Sequence, residues 1–384
     1  MRIVHIAPIA PYNEGWSYQE NLLPAYQMKL GHDVILVVTN QEHDGGKIKI
    51  VPCSDFISKD GFRVIRREQH RPKIPHIGLE LAWIDVRDLL SSLHPDFIFF
   101  HGVGNRTIKQ VTEYVDKENS KCVVVQDNHA DDNIGYNSRS FHGRLLNLFH
   151  TWIYRRSDHV TAKVYGVTPW RRDYAERICG VPHKKTDVLI MGADDEKIKF
   201  DKKEFFRKRI RRENQIGDNE FLIVTGGRID ERKKIHLLMN AVNQLENVKL
   251  IVFGNVLDDI CSQFEEELSD KVIWIGFIQA DLSYQYFLAA DMVFFPGQHS
   301  VLWEQACACK IPCIFGRWQG MEHVNNGGNA DFIDDVTVAG IKKTIEDMRF
   351  TEKFNTMKKI AESSNTDVYL YSNIAKKSLE CMRR

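Results

Sequence analysis

The chain has 384 residues, which at roughly 150 residues per domain predicts two or three domains. Hydrophobic residues make up 43% of the chain and charged residues 27%. These values are typical of a globular protein and exclude a disordered, collagen-like or coiled-coil chain. Lysine plus arginine equals aspartate plus glutamate, at 52 each, so no overall basic charge argues for a nucleic acid partner.

The apolar runs are of strand length, such as Val34–Val38, and fall well short of the ~20 residues that a membrane-spanning helix needs. The opening stretch Met1–Ala7 lacks the apolar core of a signal peptide and predicts a first strand instead. Eight cysteines are scattered along the chain, and we expect them to be buried free thiols rather than disulfides. The sequence therefore predicts a cytoplasmic protein.

Short apolar runs alternate with helical patterns along the chain, which is typical of parallel sheets built from β-α-β units. In the first half the predicted strands are Ile3–Ala7, Val34–Val38, Phe97–Phe100, Cys122–Gln126 and Val160–Ala162. In the second half they are Phe221–Val224, Lys249–Phe253, Val272–Ile275, Met292–Phe295 and Ile311–Phe315. Predicted helices include Gln19–Leu30, followed by Gly31 as a C-terminal glycine, and Lys234–Leu245. The sequence therefore predicts an α/β fold with two doubly wound domains and ligands at the carboxyl ends of the strands.

Two charged segments interrupt this alternation. Lys202–Asn214, rich in arginine and lysine, separates the two halves and is predicted to be a solvated helix. Lys59–Lys73 is polar and basic and is predicted to run over the surface, where contact with an anionic membrane is the alternative to a solvated loop.

The segment after the predicted strand Met292–Phe295 has the pattern of an anion site. Ser300 is a suitable N-cap for a helix over Val301–Lys310, whose first N–H groups and dipole favour an anion. Glu304 lies one turn into that helix, where a carboxylate suits hydroxyl groups such as a ribose diol; the alternative is a glutamate that only stabilises the helix start. The cysteines at 307, 309 and 313 do not have the spacing of a metal site on one helix face.

A second pattern that is typical of a phosphate-binding site follows the strand Phe221–Val224. Gly226 and Gly227 permit close approach of the backbone, and Arg228 with Lys233 supplies two cations before the next helix. Exposed basic residues at a helix start are common, so this pattern alone is a weak indication of a diphosphate site.

Taken together, these segments resemble the family 4 glycosyltransferases, which have the GT-B fold of two facing Rossmann-like domains. The resemblance runs in order over nearly the whole chain and rests on Gly31-His32-Asp33-Val34, Met191-Gly192-Ala193-Asp194, Gly227-Arg228 with Lys233, Ile275-Gly276-Phe277-Ile278, Ala290-Asp291 and Glu304-Gln305-Ala306 with Ile311-Pro312. It implies an N-terminal acceptor-side domain over residues 1–188 and a nucleotide-sugar-binding domain over 189–364. It also implies a C-terminal helix over 365–384 that returns to the first domain.

The resemblance assigns roles to residues of the second domain. Arg228 and Lys233, with backbone N–H groups at Ser300 and Val301, would stabilise the leaving phosphate. Glu304 would hold the ribose. The remaining positions are Gly227 at the phosphates and the backbone of Phe277 and Ile278 at the base.

In the first domain, Gly15 lies in a loop after the first strand that resembles the family's glycine loop. The neighbouring Trp16 and Tyr18 suit either stacking on a sugar or packing within the protein. His129, after the fourth strand, resembles the family's active-site histidine, which hydrogen-bonds the donor sugar; the alternative is a structural histidine. His101 ends another strand at the same side.

One position departs from the family pattern. The family has a glutamate eight residues before Glu304, where it contacts hydroxyls of the donor sugar, and this chain has Pro296. Three explanations stay open: Gln298 or His299 makes the sugar contact, the donor differs from the common hexoses, or the pocket has lost activity.

The resemblance implies a retaining glycosyltransferase that takes a UDP- or GDP-sugar as co-substrate and needs no further cofactor. The implied acceptor is a sugar or a lipid-linked glycan, in surface polysaccharide or glycolipid assembly, with a cytoplasmic location and peripheral contact with the membrane. We expect no metal, because Arg228 and Lys233 would neutralise the diphosphate; a site formed by Asp127, Asp131 and Asp132 is the alternative. Other functions compatible with the fold are a non-catalytic nucleotide-sugar-binding subunit and a GT-B epimerase or phosphorylase.

Overall fold

The computed structural model describes residues 1–44, 47–72, 81–132, 141–349 and 351–383. Its contacts divide the chain into two units. The first consists of Met1–Ile190 with Ile374–Arg384, and the second of Met191–Asn373. The division lies close to the predicted boundary at residue 188, whereas residues 365–373 of the predicted C-terminal segment belong to the second unit.

The first unit is built on an eight-stranded sheet in the order β10-β9-β8-β7-β1-β2-β6-β5. Its strands are β1 (Arg2–Ala7), β2 (Asp33–Thr39), β5 (Asp55–Ile57), β6 (Arg63–Arg67), β7 (Phe97–His101), β8 (Val123–Asn128), β9 (Thr161–Gly166) and β10 (Thr186–Val188). All neighbours are parallel except β5, which runs antiparallel to β6 at the edge. Strands β3 (Gln41–Asp44) and β4 (Lys47–Ile50) form a separate antiparallel hairpin.

Helices of the first unit connect the parallel strands, as such a sheet requires. They are α1 (Gln19–Lys29), α2 (Arg87–Leu93), α3 (Ile108–Lys117), α4 (Phe141–Ser157) and α5 (Pro169–Tyr174). The central strands are apolar and buried, so that one core includes Val4, Ile35, Ile98 and Val124. Such nearly continuous apolar runs are typical of parallel strands covered on both faces.

The second unit has a six-stranded, all-parallel sheet in the order β13-β12-β11-β14-β15-β16. Its strands are β11 (Phe221–Gly226), β12 (Val248–Phe253), β13 (Val272–Trp274), β14 (Met292–Phe295), β15 (Cys313–Gly316) and β16 (Ala330–Ile333). Its helices are α6 (Lys203–Glu213), α7 (Ile235–Asn243), α8 (Cys261–Glu266), α9 (Ala280–Ala289), α10 (Leu302–Ala308), α11 (Val338–Met348) and α12 (Glu352–Ala361); α13 (Tyr371–Ser378) begins here and continues into the first unit. The strand order is that of a Rossmann fold, and it reverses between β11 and β14.

The structure confirms all ten predicted strands, with ends that differ by a few residues. One surface prediction is wrong, and a second is confirmed in part. Arg63–Arg67, within the segment Lys59–Lys73, forms the inner strand β6 with Val64, Ile65 and Arg66 buried, whereas Lys73 lies outside the described residues. The solvated helix predicted over Lys202–Asn214 is present as α6, and most of its residues are at least partly exposed, but it lies within the second unit rather than between the two halves. It buries Phe206, Ile210 and Arg211, and Arg211 donates to Asp291 at 2.7 Å.

All eight cysteines are free and five of them are buried, so the expectation of free thiols is confirmed, although Cys53 is exposed. Within the described ranges, we find no helix that is both long and apolar enough to cross a membrane.

Candidate functional site

Two loops of the second unit meet where the strand order reverses. The loop after β11 and the loop after β14 leave the carboxyl ends of neighbouring strands, and the helices that follow lie on opposite faces of the sheet in such folds. The N–H of Gln298 donates to the carbonyl of Arg232 at 3.0 Å and so joins the two loops. This edge is therefore the place where a doubly wound sheet offers a crevice to a ligand.

Glycines allow the loops at this edge to pack closely. Gly227 has φ +110° and a Cβ there would lie 2.9 Å from Cδ1 of Leu302. Gly254, after β12, has φ +123° and a Cβ there would overlap the carbonyl of Gly227. A side chain at either position would therefore strain the backbone and fill the space at the strand ends.

Arg228 and Lys233 follow Gly227 and differ in their environment. The Arg228 side chain is exposed and forms no ion pair with any residue that the structure describes. Lys233 is half-buried, and its Nζ donates to the carbonyl oxygens of Gln298 at 2.8 Å and His299 at 3.1 Å. Burial lowers the pKa of Lys233 to about 8. One cation is thus free in solvent and the other is fixed against the loop after β14.

Glu304 lies on α10 and its side chain is only 1% exposed. Nε2 of His299 and Nε2 of His323 both donate to its Oε1, each at 2.8 Å. Burial raises the pKa of Glu304, but the two imidazoles outweigh burial and lower it to about 2. The second oxygen, Oε2, is buried and has no hydrogen-bond partner among the residues that the structure describes, which leaves one acceptor of this carboxylate unused by them.

The start of α10 differs from the sequence-based expectation. The helix spans Leu302–Ala308 rather than Val301–Lys310, and Val301 is its N-cap residue with no side-chain cap. Ser300 therefore does not cap the helix, and its carbonyl instead accepts from the N–H of Trp303 at 3.0 Å. The reason is that the buried His299–Glu304 contact, rather than a serine hydroxyl, fixes the loop at this end.

Phe277 and Ile278 lie on the turn after β13. The Phe277 side chain is 69% exposed, and Gly276 before it has φ +73°. The carbonyl of Gly276 accepts from the N–H of Gly254 at 2.8 Å. This turn thus joins the glycine-lined edge formed by Gly227 and Gly254. The structure therefore brings the residues expected to contact the base and those expected to contact the phosphates to one edge of the second unit.

The glycine loop of the first unit contains Gly15, which has φ +75° and open space around it. Trp16 stacks on His43 of the β3–β4 hairpin with ring centroids 5.3 Å apart, and it meets the edge of Tyr18 at 5.0 Å. Trp16 thus packs against neighbouring rings, whereas Tyr18 is 51% exposed, and stacking on a sugar stays a prediction.

His129 lies at the carboxyl end of β8, beside a buried histidine–aspartate pair. His101 and Asp127 are opposite each other on β7 and β8, and Nδ1 of His101 donates to Oδ2 of Asp127 at 2.9 Å. Nε2 of His129 donates to the same oxygen at 3.3 Å, and the His129 side chain is 38% exposed. Burial lowers the pKa of His129, but the Asp127 carboxylate outweighs burial and raises that pKa above its ordinary value.

The three aspartates proposed as an alternative metal site have separate partners. Asp131 pairs with Arg171 at 3.2 Å and Asp132 with Arg177 at 2.6 Å, while Asp127 accepts from the two histidines. Within the described part of the chain, two other groups have ligand atoms close enough for a metal ion. They are Glu20 with His101 and His129, and His299 with Glu304 and His323.

Sequence reasoning missed His323, the second histidine on Glu304. It lies in a short 3-10 helix, Glu322–Val324, between β15 and β16. No sequence motif identifies His323. The only indication of its role is the unusual number of histidines near the buried glutamate. His5, which contacts His101, was also missed, because it lies inside an apolar strand.

Comparison with known proteins agrees with this geometry. Residues 206–364 match the family model of the glycosyl transferases group 1. An uncharacterized glycosyltransferase of Methanocaldococcus jannaschii, MJ1607, is 25% identical over 230 residues, which are 53% of this chain and 56% of that protein. The chain thus matches little more than half the length of this curated relative.

Two solved structures are similar over nearly the whole chain. A glycosyltransferase from Rickettsia africae has a TM-score of 0.72 at 12% identity, covering 99% of this chain and 97% of that one. Anabaena HepE, solved with UDP and glucose, has a TM-score of 0.66 at 16% identity, covering 100% and 99%. At such identities the likeness shows the fold, and the prediction of an α/β, GT-B fold with two Rossmann-like domains is confirmed.

Proposed function

We propose that the protein is a retaining family 4 glycosyltransferase that moves a sugar from a UDP- or GDP-sugar to a hydroxyl of a sugar or lipid-linked glycan. The observation that carries this proposal is the edge where β11 and β14 diverge. There, glycine-lined loops, the exposed Arg228 and the loop-bound Lys233 lie together in the segment that matches the group 1 glycosyl transferases.

The diphosphate of the donor fits the two cations. Arg228 presents an unpaired guanidinium that can bind a phosphate bidentately. The Lys233 ammonium is already partly desolvated, and its hydrogen bonds to the loop hold it in place. A phosphate that binds there therefore contacts a fixed charge rather than a mobile side chain. Both contacts strengthen as the leaving phosphate gains negative charge, and this is the property that accelerates bond cleavage.

At the sugar end, the structure favours Gln298 over His299 as the replacement for the family's first glutamate. Nε2 of His299 is bound to Glu304, whereas no described residue forms a hydrogen bond with the side chain of Gln298. An amide offers both a donor and an acceptor to sugar hydroxyls. Gln298 therefore makes the contact that Pro296 cannot.

The ribose would meet Glu304 at one oxygen only. Oε1 already accepts from two imidazoles, so Oε2, which is buried and has no partner within the described ranges, is the acceptor left for a ribose hydroxyl. A hydroxyl there would satisfy a buried charge that otherwise lacks a partner.

In the reaction, the leaving phosphate would accept the proton of the acceptor hydroxyl as that hydroxyl attacks the same face of the sugar. This front-face route gives retention and requires no enzymic nucleophile. His129, in the first unit, would hydrogen-bond the donor sugar.

The experiment is incubation with a panel of UDP- and GDP-sugars, with release of nucleoside diphosphate as the readout and anomeric configuration of the product read by NMR. UDP-glucose belongs in the panel because the neighbour HepE is solved with it. Release that depends on an added acceptor, with a retained anomer, supports the proposal. Binding without release identifies a non-catalytic subunit. Conversion of the donor into an epimeric nucleotide sugar without net release identifies an epimerase, and release without an acceptor product is hydrolysis of the donor.

A further inference from the structure

Helix α4 of the first unit has large apolar side chains on more than one side. Leu146, Ile153 and Tyr154 are buried, and the helix packs on α3. Ile153 belongs to the core that lies beside the central strands. These buried residues join the helix to its unit, so the apolar residues on its exposed side are not needed for that contact.

Four large apolar side chains of α4 are exposed. The exposed fraction is 78% for Phe141, 50% for Leu145, 66% for Leu148 and 48% for Trp152. Their spacing of four, three and four residues places them along one side of the helix, in a row about 17 Å long. We call these four residues the α4 stripe. Single exposed apolar residues are ordinary, whereas a contiguous row of this kind is typical of a surface that binds a partner or a membrane.

Arginines flank the α4 stripe. The helix contains Arg144, Arg155 and Arg156, all exposed, and its sequence has no aspartate or glutamate. With about 100° between successive residues, Arg144 and Arg155 lie on one side of the stripe and Arg156 on the other. The guanidinium carbon of Arg156 lies 4.1 Å from the centroid of the Trp152 ring. The exposed side of α4 is therefore apolar along its middle and positively charged along both edges.

The acidic residues that flank α4 along the chain are themselves paired with other cations. Asp132, before the helix, accepts from Arg177 at 2.6 Å, and Asp158, after it, pairs with Lys185 at 3.0 Å. These pairs are neutral as a whole, so they do not cancel the charge of the arginines on the helix.

This charge distinguishes between the two usual partners of an apolar helix face, another helix and a lipid surface. In a symmetric contact with a second copy of the chain, the arginines of the two α4 helices would meet without an acidic residue on either helix. An anionic lipid surface matches both features of α4. Its acyl region takes up the apolar row, its headgroups attract the arginines at the edges, and tryptophan is favoured at the boundary between them.

We propose that the α4 stripe and the arginines beside it form a surface that docks the first unit on an anionic membrane, with α4 lying in the plane of the interface. The surface differs from the segment Lys59–Lys73, for which membrane contact was the alternative to a solvated loop. Part of that segment is the buried strand β6, whereas the α4 stripe is exposed.

The direction of α4 relates this surface to the candidate site. The helix connects the parallel strands β8 and β9, so it begins at the carboxyl edge of the sheet and runs back towards the amino edge. Phe141 is thus at the end of the helix that lies towards the edge where His129 follows β8. Docking would therefore bring a lipid-linked acceptor towards His129, and only this step rests on the proposed function.

The test is cosedimentation of the full chain with vesicles of two compositions. One kind contains phosphatidylcholine alone, and the other contains equal amounts of phosphatidylcholine and phosphatidylglycerol. We expect binding to the mixed vesicles that weakens as salt is added, and binding to phosphatidylcholine alone that is weaker by about tenfold or more. Equal binding to both kinds of vesicle, or binding to neither, would overturn the proposal, whatever the fate of any variant.

Two double variants separate the apolar and the charged contribution. Leu145→Gln with Leu148→Gln should weaken binding to the mixed vesicles by about tenfold or more, because it removes apolar area from the contact. Arg155→Gln with Arg156→Gln should also weaken it by roughly tenfold or more, since each basic residue near such a surface contributes. Leu268→Gln, at an exposed leucine of the second unit, is the matched control and should bind like the unaltered protein.

The substituted side chains are exposed, so both variants should keep the fold. If the leucine variant does not fold, the arginine variant and the comparison of the two lipids still decide. Unchanged binding in both folded variants would show that the lipid binds elsewhere and that the proposal is wrong. A dimer in sedimentation equilibrium that the leucine variant abolishes would also overturn it, because a second copy would then cover the stripe.

Activity provides a separate readout. Without vesicles, release of nucleoside diphosphate should be equal in the leucine variant and the unaltered protein, because the α4 stripe lies outside the candidate site. A chain that binds the mixed vesicles as expected but releases nucleoside diphosphate from no donor would support the docking surface and refute the proposed function.

Discussion

Glu304→Gln should destabilise the second unit in a way that depends on pH. The carboxylate is buried and accepts two N–H bonds at 2.8 Å on one oxygen. Glutamine has nearly the same shape but no charge, and charge-assisted hydrogen bonds are roughly twice as strong as neutral ones. The loss should therefore come from the charge and not from packing.

The magnitude follows from the pKa of Glu304, which is lowered from 4.5 to about 2. A difference of that size corresponds to about 3 kcal/mol of unfolding free energy. Because the folded pKa lies below the unfolded one, this stabilisation is complete above pH ~4.5 and disappears as the pH falls through about 2. At neutral pH the variant should thus lose about 3 kcal/mol, and at pH 3 much less.

Urea denaturation at several pH values measures this difference, with the transition of the second unit analysed separately because a two-unit chain need not unfold in one step. Trp303, fully buried and stacked on Phe315 with ring centroids 4.3 Å apart, gives a fluorescence signal close to the substitution. Glu322→Gln is the matched control, since Glu322 is exposed beside His323. A loss of equal size at pH 7 and pH 3 would refute the role of the charge.

The other predictions concern the phosphate contacts and metal ions. Arg228→Ala should lower kcat by about 10²–10³ on the best donor of the panel without loss of stability, because the side chain is exposed; an effect on KM alone would contradict its role in the transition state. The affinity for UDP or GDP, measured by titration calorimetry, should fall roughly tenfold between pH 7 and pH 9, because Lys233 loses its proton near pH 8. The fall should be smaller in Lys233→Arg. Activity should survive EDTA; complete loss that Mg²⁺ or Mn²⁺ restores would instead assign a metal to one of the two histidine–glutamate groups.

The sequence predicted the fold well because apolar runs and their spacing depend on local physics. Strand β14 was predicted with its observed ends, and the glycines after β11 lie where close packing requires them. Strand β6 was missed because arginines surround its two apolar residues, Val64 and Ile65, and only pairing with β2 buries them.

The environment of Glu304 could not be predicted, and this changes its interpretation. The position of Glu304 and the family pattern indicated a carboxylate that faces a ligand. In the structure, two histidines from different segments form hydrogen bonds with one of its oxygens. The partner His323 is nineteen residues away along the chain, and such contacts depend on tertiary packing rather than on spacing. The same holds for Ser378, which reaches Gln27 over 351 residues.

The assignment of Ile374–Arg384 to the first unit has a consequence for biosynthesis. A ribosome releases residues 1–190 first, yet the side chain that holds Gln27 is made only after the whole second unit has emerged. Until then, the buried amide of Gln27 in the first unit lacks this hydrogen-bond partner. The second unit, by contrast, can fold from one uninterrupted stretch of chain. The first unit is therefore the first to be synthesised in part and the last to be completed. A fragment ending before residue 374 would leave the Gln27 amide without this partner.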